Sequence, residues 1–340
     1  MTNVSLPTIG ITMGDPTGVG PEIIVKALSD KSAFRCCRPV ILGDRAVMER
    51  TVKLLNAKLK INEIKDSEEG SYRDDTLNLY NLSHINIHEI AYGAPTQYCG
   101  KAMVKYIEEA VTRVFDGTID AITTAPISKK ALSEAGYSYP GHTELLAELT
   151  GSKEYVMMLA GERLKVALVT IHCSLRDVFH LLTAEKIVTT IRITHDALVK
   201  FFGEAHPKIA VAALNPHAGE EGLFGNEEKE IIKPAIMQAQ QLGFTIEGPL
   251  PPDTLFYHAA QGKYSAVISM YHDQGLIPLK LLHFEDAVNI TLGLPLIRTS
   301  VDHGTAYNIA GTGKANPLSL VNALKLAAGM VMHRNTKKEN

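Results

Sequence analysis

The sequence predicts an α/β protein with a largely parallel sheet, and three observations carry this prediction. Short apolar runs rich in β-branched residues alternate along the chain with longer segments of helical period. Some of the longer segments have recognisable helix starts, such as Pro21 in a first turn and Asn316 followed by Pro317. At 340 residues the chain is longer than an average single domain, so we expect two domains.

The individual elements follow from the same periodicity, taken in order along the chain. The predicted strands are TIGITMG (8–14), PVILG (39–43), AITTAP (121–126), YVMML (155–159), LKVALVTI (164–171), KIAVAAL (208–214), SAVISMY (265–271) and AVNITLG (287–293). The predicted helices cover 21–29, 97–116, 184–202, 227–242 and 317–333. Residues 64–75 are polar and are predicted to form a surface loop.

No linker rich in Pro, Gly or Ser divides the chain, so we expect it to cross between the domains more than once. The expected organisation is one discontinuous α/β domain, residues 1–135 with 295–340, and a second domain, residues 136–294.

The charge pattern excludes an extended electrostatic surface for nucleic acid or anionic membrane. The 34 basic and 37 acidic residues form no long run of either sign, so a small-molecule partner is expected. The four cysteines lack the spacing of a disulfide framework, and the start MTNVSLPTIGITMGD lacks a basic region. We therefore expect a cytoplasmic protein without a signal peptide or membrane span.

The first glycine-rich stretch, residues 14–21 (GDPTGVGP), joins a predicted strand to a predicted helix. It lacks the Gly-Lys-Ser/Thr of a P-loop and the third glycine of the dinucleotide fingerprint. A tight structural turn is the favoured interpretation, and an anion site at the helix start is the alternative.

Three histidines occupy similar positions, just after predicted strands: His172, His217 and His272. The carboxyl ends of parallel strands share one edge of a sheet, so three imidazoles there would suit a zinc, cobalt, nickel or iron ion. Each histidine alone is better explained as a cap or a loop residue. For the three together, a metal site and this structural explanation are equally favoured. Asp273 is a candidate ligand or orienting carboxylate.

His142 and Thr143 precede Glu144 in GHTELLAELTG. Thr143 is expected to be the N-cap of a helix that begins at Glu144, and this capping role is sufficient to explain a threonine at this position. A helix start with a hydroxyl and an imidazole would also suit a phosphate or carboxylate.

Two cations lie in apolar surroundings, Lys280 in GLIPLKLL and Arg298 in GLPLIRTS, with Asn289 between them along the chain. A buried cation requires a carboxylate or an anionic ligand nearby. An internal salt bridge and an anion-binding site are therefore both possible explanations of these two residues. Asn289 is expected to be structural unless it faces the same crevice.

Residues 302–317, DHGTAYNIAGTGKANP, contain two glycine-rich turns and lead into a capped helix. Such a loop offers many free amides and would suit an adenosine or a phosphate. A structural connection explains it equally well.

Two resemblances add to this interpretation. The run HGTAYNIAGTGKANP resembles the adenosine-binding loop of the isocitrate and isopropylmalate dehydrogenases, which bind NAD without a Rossmann fingerprint. The ordered motifs GDPTGVGPEI, TAPISK, GHTE, NPHAGE, PPDTLF, YHDQG, VNITLGLP and RTSVDHGTA together resemble the 4-hydroxythreonine-4-phosphate dehydrogenase family over nearly the whole chain. The resemblance implies an isocitrate/isopropylmalate dehydrogenase-like fold, with two α/β/α domains and a cleft between them.

The resemblance also implies a homodimeric enzyme that uses NAD and one divalent metal ion per site, Zn, Mg, Co or Ni. It would oxidise the 3-hydroxyl of a 4-phosphorylated four-carbon acid, and the resulting β-keto acid would decarboxylate. The implied metal ligands are His172, His217 and His272, the last supplied by the partner subunit. The implied substrate contacts are His142, Thr143, Lys280, Asn289 and Arg298, and the implied cofactor contacts are His303, Gly304, Thr305, Ala306 and Asn316. The candidates for the general base are Lys280 and Asp253.

Some stretches differ from the pyridoxine-pathway enzymes of this family. CSLRDV, YPGHTELL and GLIPLKLLHFEDAVN are more similar to the branch that converts 4-phospho-D-threonate or 4-phospho-D-erythronate to dihydroxyacetone phosphate and CO₂. We therefore expect a hydroxyl at C2, with the amine of 4-hydroxythreonine-4-phosphate as the alternative. A metal-dependent lyase or hydrolase without NAD and a two-domain solute-binding protein are alternatives from other classes.

Overall fold

The computed structural model describes residues 6–336. Residues 1–5, which belong to the segment on which the signal-peptide expectation rests, and residues 337–340 lie outside the described part. The strands are β1 Thr8–Thr12, β2 Arg38–Gly43, β3 Lys60–Glu63, β4 Thr76–Asn81, β5 Ala121–Thr124, β6 Val156–Ala160, β7 Lys165–Leu168, β8 Lys208–Ala212, β9 Thr245–Leu250, β10 Ala266–Ser269, β11 Val288–Leu292 and β12 Arg298–Val301. The α-helices are α1 Gly20–Ser29, α2 Arg45–Leu54, α3 Gln97–Phe115, α4 Lys129–Glu134, α5 His142–Leu149, α6 Leu175–Leu181, α7 Ala184–Phe201, α8 Lys233–Gln241, α9 Pro252–Ala260, α10 His272–His283 and α11 Leu318–Thr336.

The α/β class and the largely parallel pairing are confirmed. Each predicted strand is present within a few residues, and the structure adds β3, β4, β9 and β12. The polar segment 64–75 contains no strand, as expected. Among the described residues, no helix has both the length and the apolar character needed to cross a membrane.

The described residues form two compact units. The first contains residues 6–153 and 294–335, and the second contains residues 154–293. Helix α5, which falls in the second domain of the sequence-based division, therefore lies in the first unit.

The first unit has six strands in the order β3-β4-β2-β1-β5-β12, and each adjacent pair is parallel. Helix α3 packs against β1, β2 and β5. Because the strands run in one direction, the segments that follow β1, β5 and β12 leave the sheet at the same edge. These segments are the first glycine-rich turn, residues 125–128 and the loop that starts at Asp302.

The second unit has the strand order β11-β6-β7-β10-β8-β9. Strand β6 is antiparallel to both of its neighbours, and the remaining pairings are parallel. Its buried core includes Leu159, Val166, Phe256 and Val267. The adjacent strands β7, β10 and β8 run in the same direction, so the segments that carry the three predicted histidines begin at one edge of this sheet.

Candidate active site

The first glycine-rich stretch is a structural turn whose amides are already engaged. Completely buried Asp15 accepts hydrogen bonds from the Thr17 amide through Oδ1 (2.8 Å) and from the Gly18 amide through its carbonyl (3.1 Å). The amide of Val19 donates to the carbonyl of Thr305 (3.0 Å). These contacts favour the structural interpretation of the turn over an anion site.

The same turn supports the loop that begins at Asp302. The phenol of Tyr307 donates to Oδ2 of Asp15 (2.6 Å), and burial and this hydrogen bond raise the pKa of Tyr307 to about 12, so it remains a donor. A Cβ added at Gly18 would lie only 3.1 Å from the carbonyl oxygen of Thr305. Glycine at this position therefore allows the loop to pack closely on the turn.

Helix α1 supports the second half of the loop. The amide of Gly311 donates to the carboxylate of buried Glu22. The ammonium group of Lys26 donates to the carbonyls of Gly313 (2.5 Å) and Ala315 (2.7 Å). The roles of Glu22 and Lys26 were not predicted from the sequence. An acid and a lysine one helical turn apart in the apolar run PEIIVKAL could have indicated them.

The structure places the predicted cofactor residues along this supported loop. The imidazole of exposed His303 donates through Nδ1 to the carbonyl of Gly304 (3.0 Å). A Cβ added at Gly304 would meet nothing within 4 Å, so the backbone there is open to a ligand. Ala306 adopts a positive φ of 43°, and Oδ1 of Asn316 accepts from the amide of Leu318 (3.0 Å) at the start of α11. Asn316 therefore has a capping role.

The structure corrects the expected role of Thr143. Helix α5 begins at His142, with Gly141 as its N-cap, and there is no side-chain cap hydrogen bond. The extended backbone of Gly141 supplies the change of direction, so Thr143 already lies in the first helical turn. The prediction that Thr143 caps a helix starting at Glu144 is therefore wrong.

His142 presents an unused nitrogen in a buried position. Nε2 is buried and has no hydrogen-bond partner among residues 6–336, while the ring also hydrogen bonds the backbone of Ala125. Burial, and then the charge of Arg298, hold the pKa of His142 well below its usual value. The ring is therefore neutral, and Nε2 is available as a hydrogen-bond acceptor.

Arg298 on β12 is buried to 3% exposure and donates through Nε (3.2 Å) and Nη2 (2.7 Å) to Oγ1 of Thr124. Burial lowers the pKa of Arg298, and the nearby charge of Glu144 opposes this effect. Oγ1 of Thr124 fixes the orientation of the Arg298 guanidinium beside the neutral His142 ring, and a guanidinium in this position suits an anionic group. Sequence reasoning identified Arg298 and His142 but not Thr124.

Two of the predicted metal ligands line one cavity in the second unit. The ring centroids of His172 and His272 are 5.6 Å apart, and both residues border a cavity of about 340 Å³. Nδ1 of His272 lies 2.7 Å from Oδ1 of Asp273, which orients the ring and leaves Nε2 for a ligand. Cys173 also borders this cavity and was not singled out from the sequence.

His217 lies on a strained loop. Residues 217–221 all have positive φ values, between 43° and 81°, and only one of them is glycine. Buried Glu228 holds the base of the loop, because Oε1 accepts from the amides of Leu214 (2.8 Å) and Asn215 (2.7 Å) and Oε2 accepts from the Asn215 side chain (2.9 Å). Strain of this kind is typical of functional sites.

The three histidines do not form a complete site in a single chain. Within residues 6–336, no group of three His, Cys, Asp or Glu side chains is placed to hold a metal ion. The imidazole donors are of a type that suits a divalent ion.

The other predicted residues of the second unit lie on three different elements. Lys280 is half-buried on α10, Asn289 is half-buried on β11, and Asp253 is exposed in the first turn of α9.

Comparison with known proteins gives consistent matches over most of the chain. The family model "Pyridoxal phosphate biosynthetic protein PdxA" matches residues 35–327. A 4-hydroxythreonine-4-phosphate dehydrogenase from Desulforapulum autotrophicum is 52% identical over 322 residues, covering 95% of each chain. A Clostridium botulinum protein named "Putative D-threonate 4-phosphate dehydrogenase" is 44% identical, covering 95% of this chain and 96% of its own. The crystal structure of 4-hydroxythreonine-4-phosphate dehydrogenase from Klebsiella pneumoniae superposes with a TM-score of 0.89 at 41% identity, covering 97% of this chain and 99% of that one.

Proposed function

The chain belongs to the PdxA family and is an oxidoreductase acting on a CH–OH group, and we propose that it oxidises the 3-hydroxyl of a 4-phosphorylated four-carbon acid. The proposed oxidant is NAD, the proposed metal is a divalent ion, and the β-keto acid product loses CO₂. The observation that carries the proposal is the pair formed by buried Arg298 and neutral His142, on the same unit as the supported loop.

The residues of the first unit would bind and orient the substrate. Arg298 offers charged donors to the phosphate or carboxylate, and the start of α5 at His142 and Thr143 offers helix amides to the same group. Nε2 of His142 would accept a hydrogen bond from a substrate hydroxyl. Binding energy at the remote phosphate orients the reacting carbon.

The loop carrying His303–Ala306 and Asn316 would hold NAD, and open Gly304 fits close approach of the dinucleotide. Bound NAD would supply the hydride acceptor. Attachment of this loop to the first glycine-rich turn and to α1 keeps its backbone fixed before the cofactor binds, which lowers the entropic cost of binding.

His172, His217 and His272 would hold the metal. A bound divalent ion would supply Lewis acidity to the reacting oxygens. Asp273 fixes the His272 ring, and Glu228 fixes the loop that carries His217. In the second unit, the proposed substrate contacts are Lys280 and Asn289. The proposed general base, which would accept the proton of the 3-hydroxyl, is Lys280 or Asp253.

The substituent at C2 has two candidates. The motifs CSLRDV, YPGHTELL and GLIPLKLLHFEDAVN favour a hydroxyl, so that 4-phospho-D-threonate or 4-phospho-D-erythronate gives dihydroxyacetone phosphate and CO₂. The name of the 52% identical relative favours the amine of 4-hydroxythreonine-4-phosphate.

We also propose a homodimer that shares its site. Ile277 and Leu281 on α10 and Phe284 at its C-cap form an apolar stripe, with exposures of 61%, 82% and 78%. An exposed apolar face of this kind is typical of a subunit interface, and this one belongs to the helix that begins with His272. A second copy covering the stripe would bring the partner's His272 toward a metal site. The cysteines are free thiols, which fits the reduced cytoplasm that we propose as the location.

The dimer is tested with Leu281→Glu, which should give a monomer in light scattering and lose bound metal. Leu242→Glu changes another leucine of the second unit, 57% exposed, and should remain dimeric. A dimer that persists in Leu281→Glu would exclude α10 as the interface.

One assay tests the reaction and the substrate together. NADH formation is measured with 4-phospho-D-threonate, 4-phospho-D-erythronate and 4-hydroxythreonine-4-phosphate, and dihydroxyacetone phosphate is measured for the first two. Turnover without NADH would contradict NAD as the oxidant, and no turnover of any of the three compounds would contradict the proposed substrate class.

The metal ligands are tested by metal content and activity of His217→Ala, which should lose both. His206→Ala, an exposed histidine of the same unit, should retain both. Full activity in metal-free His217→Ala would contradict the proposed site.

A further inference from the structure

Cys36 and Cys37 form a pair of thiols that the proposed reaction does not use. They lie between the short 3₁₀ turn Ala33–Arg35 and β2, in the first unit. Both sulfur atoms point to one acceptor, because Sγ of Cys36 (3.2 Å) and Sγ of Cys37 (3.4 Å) each donate to the carbonyl of Ala33. The two thiols therefore lie on the same side of the chain.

The backbone holds this arrangement. The amides of Cys36 (3.1 Å) and Cys37 (3.0 Å) also donate to the carbonyl of Ala33. Cys37 is buried to 1% exposure, whereas Cys36 is half-buried and gives access to the pair. Both side chains thus start from fixed positions, and a ligand would lose little chain entropy in bridging them.

The electrostatics make Cys36 the more reactive thiol. The neighbouring Cys37 thiol and the charge of Lys325 lower the pKa of Cys36 to about 7 in spite of its burial. A thiolate is the reactive form of cysteine toward soft electrophiles. Cys36 would therefore attack first, and Cys37 would follow.

Adjacency disfavours a disulfide between these residues. Consecutive Cα atoms are about 3.8 Å apart across a trans peptide, whereas disulfides span about 4.4 to 6.8 Å between Cα atoms. A single soft atom placed between the two sulfurs relieves this mismatch, because it forms one bond to each sulfur and no S–S bond is needed.

We propose that Cys36 and Cys37 form a binding site for trivalent organoarsenicals, in which one arsenic atom bridges the two sulfurs. In the reaction with R–As=O, two As–S bonds form, and the oxygen leaves as water with the two thiol protons. No atom is oxidised or reduced. After the first bond forms, the second thiol reacts intramolecularly, at a high effective concentration.

The other two cysteines provide an internal comparison. Cys99 is fully buried on α3 and Cys173 borders the cavity of the second unit, and neither has a cysteine next to it in the sequence. Without a second thiol beside it, each of these two cysteines can form only one bond to arsenic. A monothiol adduct should therefore exchange readily with glutathione.

The test uses phenylarsine oxide and the full-length reduced protein in intact-mass spectrometry. Wild type should gain one phenylarsenic unit with loss of water, resist excess glutathione and release the unit to dithiothreitol. Cys36→Ser and Cys37→Ser should each retain the adduct about 100-fold less well against glutathione, because the second bond is lost. Cys173→Ser, the matched single-thiol control, should behave like wild type.

A second measurement needs no variant, so a folding defect in Cys37→Ser leaves the proposal testable. Wild type with and without phenylarsine oxide is alkylated after denaturation, and the protected cysteines are identified by peptide mapping. Protection of Cys36 and Cys37 together is expected. An adduct on Cys173, or equal retention in wild type and Cys36→Ser, would overturn the proposal.

Discussion

The phenol of Tyr307 donates a 2.6 Å hydrogen bond to the carboxylate of Asp15, a residue near the other end of the chain. The same carboxylate accepts from the amide (2.8 Å) and the hydroxyl (2.7 Å) of Thr17 and is completely buried. The contact attaches the proposed NAD loop to the turn that follows β1. The backbone conformation of this loop therefore depends on the buried carboxylate of Asp15. Asp15 does not need to contact the proposed cofactor to have this effect.

Tyr307→Phe should weaken NAD binding without stopping the reaction. The variant leaves buried Asp15 with one donor fewer, which costs about 1 to 3 kcal/mol of stability and loosens the loop. We expect KM for NAD to rise about three- to tenfold, equivalent to about 1 kcal/mol, with kcat nearly unchanged. Tyr72→Phe, which removes a 2.6 Å hydrogen bond to Ser67 in the same unit, should affect only stability. Equal KM values for NAD in both variants would show that the loop does not hold the cofactor.

Thr124→Val should affect the phosphorylated substrate instead. Oγ1 of Thr124 accepts from two nitrogens of Arg298, and valine keeps the shape of the side chain while removing this acceptor. We expect KM for the phosphorylated acid to rise about tenfold, or about 1.4 kcal/mol, with KM for NAD unchanged. The control is Thr123→Val, whose hydroxyl pairs with Thr299 (2.9 Å). If the two variants have the same KM for the acid, Thr124 does not position Arg298.

Glu228→Gln should lower metal affinity. A glutamine has one acceptor oxygen and so cannot receive the hydrogen bonds that the two carboxylate oxygens take from Leu214 and Asn215. The left-handed segment with His217 should relax, and affinity for Zn²⁺ or Co²⁺ in titration should fall about 10- to 100-fold. Glu247→Gln removes a half-buried ion-paired carboxylate of the same unit and should leave metal affinity intact. An unchanged metal affinity in Glu228→Gln would show that metal binding does not depend on the conformation of the strained loop.

His142 should make the protein sensitive to mild acid. Its pKa is well below the usual 6.5 in the folded chain, so below pH 6.5 the unfolded chain binds a proton that the folded chain does not. Stability therefore falls as pH drops from 6.5 toward the folded pKa, and at pH 5.5 the loss from this site is up to about 1 kcal/mol. Urea unfolding at pH 7.5 and 5.5 should show a smaller loss in His142→Gln than in wild type. Identical losses would mean that His142 is protonated without cost in the folded protein.

The sequence predicted the elements whose signal is local. Strand β8, KIAVA, is almost wholly buried, and its composition alone is diagnostic. Strand β9, TIEGPL, was missed because Gly248 and Pro249 are typical of turns. Helix α10 was missed because it contains Pro278.

The candidate site was predictable where residue type and strand order sufficed. Histidines after neighbouring parallel strands could be recognised without a structure, and so could a lone arginine in an apolar run. Thr124 and Glu228 could not, because their roles depend on partners that are distant in sequence or on a left-handed backbone. The N-cap at Gly141 also escaped prediction, because a threonine is the stronger cap by type.

The open backbone at Gly304 has a practical use for engineering. A Cβ there meets no neighbour, in contrast to Gly18 and Gly20, where it would meet backbone oxygens at 3.1 Å and closer. A larger side chain at Gly304 would therefore extend into the proposed NAD site, at little cost in folding. We expect such a variant to be well folded and inactive while still binding the proposed metal and acid substrate, which would make it suitable for trapping the substrate in cells or crystals.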